Sequence, residues 1–136
     1  MYLYKITTRE SSIDGIGVFA LEPISKGAIV WKYERDHDRS MTNEEFLKLD
    51  KDAQSELEKV GYISAMSGLW IYPPKDDPAR YTNHHPEQNN LTAEVDQTIS
   101  PEPFFRANRH IEIGEELTNN YLEFDKFIAE KKPDWI

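Results

Sequence analysis

The side chains best suited to chemistry in this 136-residue chain lie in one polar run, "RYTNHHPEQNN", residues 80–90. His84 and His85 stand side by side there, among four Asn and Gln residues. Imidazoles and amides can ligate a metal, move a proton, or satisfy the backbone of a polar turn. A metal needs several His, Asp or Glu side chains converging on one point, and residues 84 and 85 project to opposite sides of an extended chain. No His-Glu-x-x-His spacing occurs, and His37 and His110 have no periodic relation to the run, so no metal is expected. A charge relay needs a paired nucleophile; the chain has no Cys, and nothing marks a serine. A plain polar loop remains the alternative at this stage.

The elements around the run indicate what must position it. "YLYKI" (2–6), "GVFA" at the end of 13–20 and "AIVWKY" (28–33) mix aromatic and branched residues and read as strands. Thr42 with Glu45 three positions later is a capping-box pattern, and Phe46, Leu49, Ala53, Leu57 and Val60 follow at helical spacing. Asp50 can cap a second helix, Gly61 can stop it, and the polar stretch 34–42 reads as an inserted loop. Strand character returns in 62–72, in "LTAEV" (91–95) and in "PFFRANR" (103–109), with a terminal helix expected over 121–132. Short strands punctuated by Gly and Pro, with little helix, imply a mostly β fold. "ALEPISKGAIV" (20–30) and "ANRHIEIGEEL" (107–117) also match at Ala, Ile, Gly and a final aliphatic, which reads as two related β corners.

Composition bounds the rest. The length suits one domain with a real core, and 38% hydrophobic with 12% aromatic residues argues for a folded chain. The absence of cysteine excludes disulfides and cysteine-ligated zinc. No apolar stretch reaches the length of a membrane span, and the N-terminus lacks the order of a signal peptide, so a cytoplasmic protein is expected, or a nuclear one in a eukaryote. A net charge of −9 disfavours nucleic acid and favours basic partners.

Three motifs in order carry more than any one alone. "GIGVFALEPISKGAIVWKY" (15–33), "ARYTNHHPEQN" (79–89) and "ANRHIEIGEELTNNY" (107–121) together resemble the SET domain, the fold of the S-adenosylmethionine-dependent protein-lysine methyltransferases. The resemblance implies a single domain over 1–136, made of several short sheets with a knot-like C-terminal crossing. Residues 34–72 would be its variable helical insert and 122–136 its C-terminal cap. It implies that Gly15, Ile16 and Gly17 form the loop whose backbone contacts S-adenosyl-L-methionine, and that Asn83 and His84 hold the cofactor. Arg80 and Asn89, at the ends of that motif, would scaffold the pocket. Tyr121 matches the catalytic-site tyrosine, which also borders the cofactor. Tyr33 matches a tyrosine of the lysine channel, with Arg35 in place of the family's following Gly, and Phe124, Phe127 and Trp135 would close that channel.

This chain departs from the family pattern at four further places. His85 and Pro86 replace a Ser-Cys pair, Gln88 replaces Pro, and Asn120 replaces the Asp before the catalytic tyrosine. The implied reaction is methyl transfer to a lysine of a basic protein, in which an aromatic channel strips water from an ammonium whose free pKa is ~10.4. The alternatives are a catalytically weak SET domain that binds cofactor or peptide, and a small β module for protein interaction. A homodimer is compatible with the sequence, though no exposed stripe demands one.

Overall fold

The computed structural model describes residues 1–125. Among these residues, ten short strands build three small sheets, joined by two α-helices and two 3-10 turns. Strands β1 (Ile6–Glu10) and β2 (Ile16–Ala20) form a hairpin, and β3 (Ile29–Trp31) follows. The insert supplies β4 (Arg39–Met41), α1 (Asn43–Leu47), α2 (Lys51–Val60), β5 (Tyr62–Ile63) and β6 (Trp70–Tyr72). Then come β7 (Asn83–His84), β8 (Leu91–Glu94), β9 (Phe104–Ala107) and β10 (Glu116–Asn119). The sheets run β1-β2-β10-β7, β3-β9-β8 and β4-β6-β5.

Three sequence expectations need correction. The strand expected at 2–6 begins only at Ile6, because Tyr2 makes a single bridge to Trp31 and residues 3–5 leave the ladder. The polar stretch 34–42 is not all loop: Arg39–Met41 pairs with β6 and closes the third sheet. The terminal helix is a 3-10 turn, Tyr121–Glu123, as far as residue 125, and the rest of that expectation lies outside the described residues.

The helices obey their local signals. Thr42 accepts from the Glu45 amide at 3.1 Å while Glu45 Oε1 accepts from the Thr42 amide at 3.1 Å, a complete capping box. Asp50 caps α2 by accepting from the Ala53 amide at 2.8 Å, and the Gly61 amide closes it on Leu57 O. Phe46, Leu57 and Trp70 form a small core of their own, with Phe46 and Trp70 stacked 4.3 Å apart.

The main core gathers Val18, Ile24, Val30, Leu91, Ile111 and Leu117, all inaccessible to solvent. Its centre is the pair of related corners. Ile24 N donates to Ile111 O at 2.9 Å and Ile111 N to Ile24 O at 2.8 Å. Gly27 N bonds Ala107 O, and Gly114 N bonds Ala20 O, both at 2.8 Å. Gly27 and Gly114 have φ of 89° and 91°, a region that L side chains rarely enter. The repeated Ala, Ile, Gly and aliphatic residues are thus two corners clasped about an approximate two-fold axis.

Asn90 locks this arrangement from below. It is 1% exposed, its Nδ2 donates to Glu116 O at 2.8 Å, and its Oδ1 accepts from Thr118 N at 2.9 Å. The side chain thereby satisfies β10 backbone groups that have no strand partner on that side. We expect Asn90→Ala to cost about 1–3 kcal/mol in urea unfolding, because two backbone groups lose their buried partners. An unchanged midpoint would mean that water replaces the amide without loss.

Candidate functional site

β10 changes partners halfway along its length. Glu116 and Leu117 pair antiparallel with Phe19 and Val18 of β2, whereas Thr118 and Asn119 pair parallel with Asn83 and His84 of β7. One strand therefore brings the Gly-x-Gly loop, the Asn-His pair and Tyr121 to one place. The pairing continues as His85 N donates to Asn119 O at 2.9 Å. The expected knot-like crossing of the C-terminal segment lies outside the described residues.

The Asn83 amide is held firmly. Its Nδ2 lies 2.9 Å from Glu116 Oε2, 3.1 Å from Ser11 Oγ and Asp14 O, and 3.4 Å from Ile16 O. Four acceptors around one nitrogen settle which end of the amide is which. Asn83 also lines a cavity of about 610 Å³, and its Oδ1 has no hydrogen-bond partner among the described residues.

Aromatic rings form much of that cavity's wall. Trp31 tilts against Phe105 at 5.4 Å, Phe105 meets Phe124 edge-on at 4.8 Å, and Phe124 meets Tyr62 at 5.0 Å and Tyr121 at 5.9 Å. All five line the cavity, and such edge contacts stabilise a rigid apolar surface. Tyr121 donates its hydroxyl proton to Thr82 O at 2.9 Å, and Tyr2 shares a 2.7 Å hydrogen bond with Thr82 Oγ1. The Tyr121 phenol is pushed up to about 12, first by burial and then by the charges of Asp125 and Asp14. It therefore stays neutral across the physiological range.

The sequence-derived site residues separate into those on the wall and those behind it. Ile16, Arg80, Asn83, Tyr121 and Phe124 line the cavity. Gly15 borders open space, with nothing within 4 Å of where a Cβ would stand. Arg80 is engaged by Lys75 O at 2.8 Å and by the Glu56 carboxylate, a scaffolding arrangement. His84 turns inward: its ring lies 4.8 Å from Tyr121, and Nδ1 accepts from the Tyr121 amide at 3.0 Å. Its Nε2 is buried without a hydrogen-bond partner among the described residues. Tyr33 packs against the main core and is not part of the wall. Trp135 and Phe127 lie outside the described residues.

His84 and His85 do not act as a pair, since His85 Nδ1 accepts from Gln88 N at 3.1 Å. Asn89 donates from Nδ2 to Leu91 O at 2.9 Å and accepts at its carbonyl from Asn108 Nδ2 at 2.8 Å, while the bonds to β10 come from Asn90. Asn120 caps the turn after it, with Oδ1 accepting from Leu122 N at 3.1 Å. An amide performs this task as an aspartate would, so the departure from the motif leaves the local backbone intact. Sequence reading missed Ser11, Glu116, Tyr62, Trp31 and Phe105. No spacing rule unites them, because each reaches the site from a different strand or loop. It also set His37 aside, although His37 Nε2 bonds Asp77 Oδ2 at 2.5 Å beside Asp38. The Met1 ammonium pairs with Asp38 at 3.1 Å there.

Fold and site together define a small β domain with a partly aromatic cavity beside a strand that pairs antiparallel with one neighbour and parallel with another. A family model for the SET domain matches residues 15–122, and the chain belongs to that family. A search of curated protein sequences finds no match. Among solved structures, the chain is similar to a Plasmodium falciparum candidate histone methyltransferase, with 24% identity and a TM-score of 0.58. That match covers 87% of this chain and 93% of the other. It is also similar to Chaetomium thermophilum Polycomb Repressive Complex 2 bound to GSK126, with 22% identity and a TM-score of 0.65. That match covers 95% of this chain but only 17% of the longer one. An apo form of the same complex gives 23% identity and a TM-score of 0.65, over 96% and 16%. At these identities the likeness establishes the fold.

Burial, and then the neighbouring His85, hold His84 below its ordinary value of 6.5. A base that protonates less readily when folded than when unfolded contributes stability above its ordinary value. That contribution is lost as pH falls below 6.5. Resistance to urea should therefore fall from pH 7 to pH 5, and His84→Asn, which can still accept from the Tyr121 amide, should flatten the slope. An identical slope in the variant would remove His84 as its source.

Proposed function

We propose that this chain is an S-adenosylmethionine-dependent methyltransferase acting on lysine side chains of proteins. The observation that carries the reading is the meeting, in one cavity, of the fixed Asn83 amide, the neutral Tyr121 hydroxyl and the aromatic wall. A volume of about 610 Å³ suits a nucleoside-sized ligand. The donor set fits that group: Asn83 Oδ1 presents an acceptor for its ammonium, and the backbone at Gly15 is open to a close approach. When bound, this cofactor supplies a methyl group on a positively charged sulfur.

The remaining work falls to the protein. The rings of Trp31, Tyr62, Phe105 and Phe124 exclude water from a lysine side chain, which lowers its pKa and favours the neutral amine that must act as nucleophile. Tyr121, with its own proton directed at Thr82 O, offers its oxygen as acceptor to an N–H of that amine and orients the lone pair. The catalytic contribution is alignment and desolvation, so no acid–base pair is required. His84 serves by holding the Tyr121 backbone, and Tyr33 supports the wall from the core. The net charge of −9 suits a lysine-rich protein substrate.

Tyr121→Phe should lower turnover by about 10²-fold while affinity for S-adenosylmethionine is retained, as expected for a contact made mainly in the transition state. Radiolabelled methyl transfer to a panel of basic proteins measures the first and calorimetry the second. Wild-type turnover in the variant would remove Tyr121 from the mechanism. A thermal shift on adding the cofactor should accompany binding. Binding without transfer to any protein would favour a catalytically silent module.

A further inference from the structure

The second glycine of the Gly-x-Gly has a neighbour that the motif does not reveal. A Cβ placed on Gly17 would stand 2.4 Å from Glu116 Oε2 and 2.8 Å from Glu116 Cδ, with Ser11 Cβ next at 3.1 Å. Real Cβ atoms do not approach other atoms as closely as the first two distances, so any side chain at 17 must displace the carboxylate. Gly15, two residues earlier, has nothing within 4 Å of its Cβ position. The two glycines therefore answer to different constraints.

The carboxylate beside Gly17 is held by two donors. Ser11 Oγ lies 2.7 Å from Glu116 Oε1 and 3.0 Å from Oε2, and Asn83 Nδ2 donates to Oε2 at 2.9 Å. Ser11 Oγ in turn accepts from the Ile13 amide at 2.9 Å, which ties the turn before Gly15 to the same point. We infer that Gly17 is kept free of a side chain by Glu116 rather than by bound ligand. Glu116 is a positioning residue, and its carboxylate, wedged among Gly17, Ser11 and Asn83, holds the Asn83 amide with Oδ1 available to the cavity. The inference rests on the cofactor reading above, in which Asn83 Oδ1 is the ligand's acceptor.

A double-mutant cycle on S-adenosylmethionine affinity, read by calorimetry beside ligand-free melting, tests it. Glu116→Ala and Gly17→Ala should each weaken binding by about tenfold, since each releases the Asn83 amide. The double variant should bind within about twofold of Glu116→Ala alone, because the alanine at 17 then occupies the space that the carboxylate left. Glu116→Gln, which keeps the shape and an acceptor, should recover most of the affinity, a rescue that a general loss of packing would not produce. Additive losses in the cycle would overturn the inference by showing that Gly17 meets the ligand itself. If Glu116→Ala does not melt cooperatively, Glu116→Ser, too short to reach Gly17, takes its place in the cycle. Asn83→Ala distinguishes the two layers of the argument. A weakened Asn83→Ala with unchanged Glu116→Ala defeats only the positioning role, whereas unchanged affinity in Asn83→Ala defeats the cofactor reading and this inference with it.

Discussion

The site depends on a strand of four residues that serves two masters. Glu116 and Leu117 belong to the hairpin of the Gly-x-Gly loop, while Thr118 and Asn119 belong to the Asn-His segment. Asn90 adds to these pairings by bonding Glu116 O and Thr118 N, backbone groups that would otherwise lack a partner. Shifting the register of β10 by one residue would turn Leu117 out of the core and carry Glu116 away from Asn83. The packing of the core and the geometry of the site are in this sense one constraint.

Charge and burial act in concert around the cavity. Tyr121 and Tyr62 are both made harder to ionise, Tyr121 by burial with help from Asp125 and Asp14, and Tyr62 by burial with help from Glu102 and Asp38. A phenol kept neutral beside apolar rings can orient a partner without competing for its proton. Under the proposed function, the nearby carboxylates would favour a cationic substrate. The same chemistry that suits an amine would repel a phosphate, in keeping with the acidity of the chain as a whole.

Sequence reading reached the local features and stopped at the long-range ones. The capping box at Thr42 and the Asp50 cap are written in adjacent residues, and both form as their spacing indicates. Asn83 and Tyr121 were legible because an ordered set of motifs resembles a known family. Ser11 and Glu116 were not, since a serine and a glutamate on the surface of a motif carry no sign of the partner each will meet. Tyr62 and Phe105 looked like strand aromatics, which they are; only the packing of three sheets makes them a wall. Asn90 was passed over for Asn89, because one position decides which amide of the pair turns inward. The 3-10 turn at Tyr121–Glu123 replaced an expected helix once Asn120 capped it and Phe124 packed edge-on against Phe105.

The clasp of Ile24 on Ile111 has a consequence for how the polypeptide is made. The two corners lie near opposite ends of the chain, and neither completes its hydrogen bonding without the other. During synthesis, the hairpin of residues 6–20 leaves the ribosome long before its central neighbour, Glu116–Asn119, has been translated. Until then β2 has a single pairing partner, and one of its edges stands open. Contacts so distant in sequence must wait for loop closure, which slows folding and leaves the nascent chain's apolar strands exposed. Folding of this domain thus waits for β10, the last of the described strands, whose arrival assembles the core and the site in the same step.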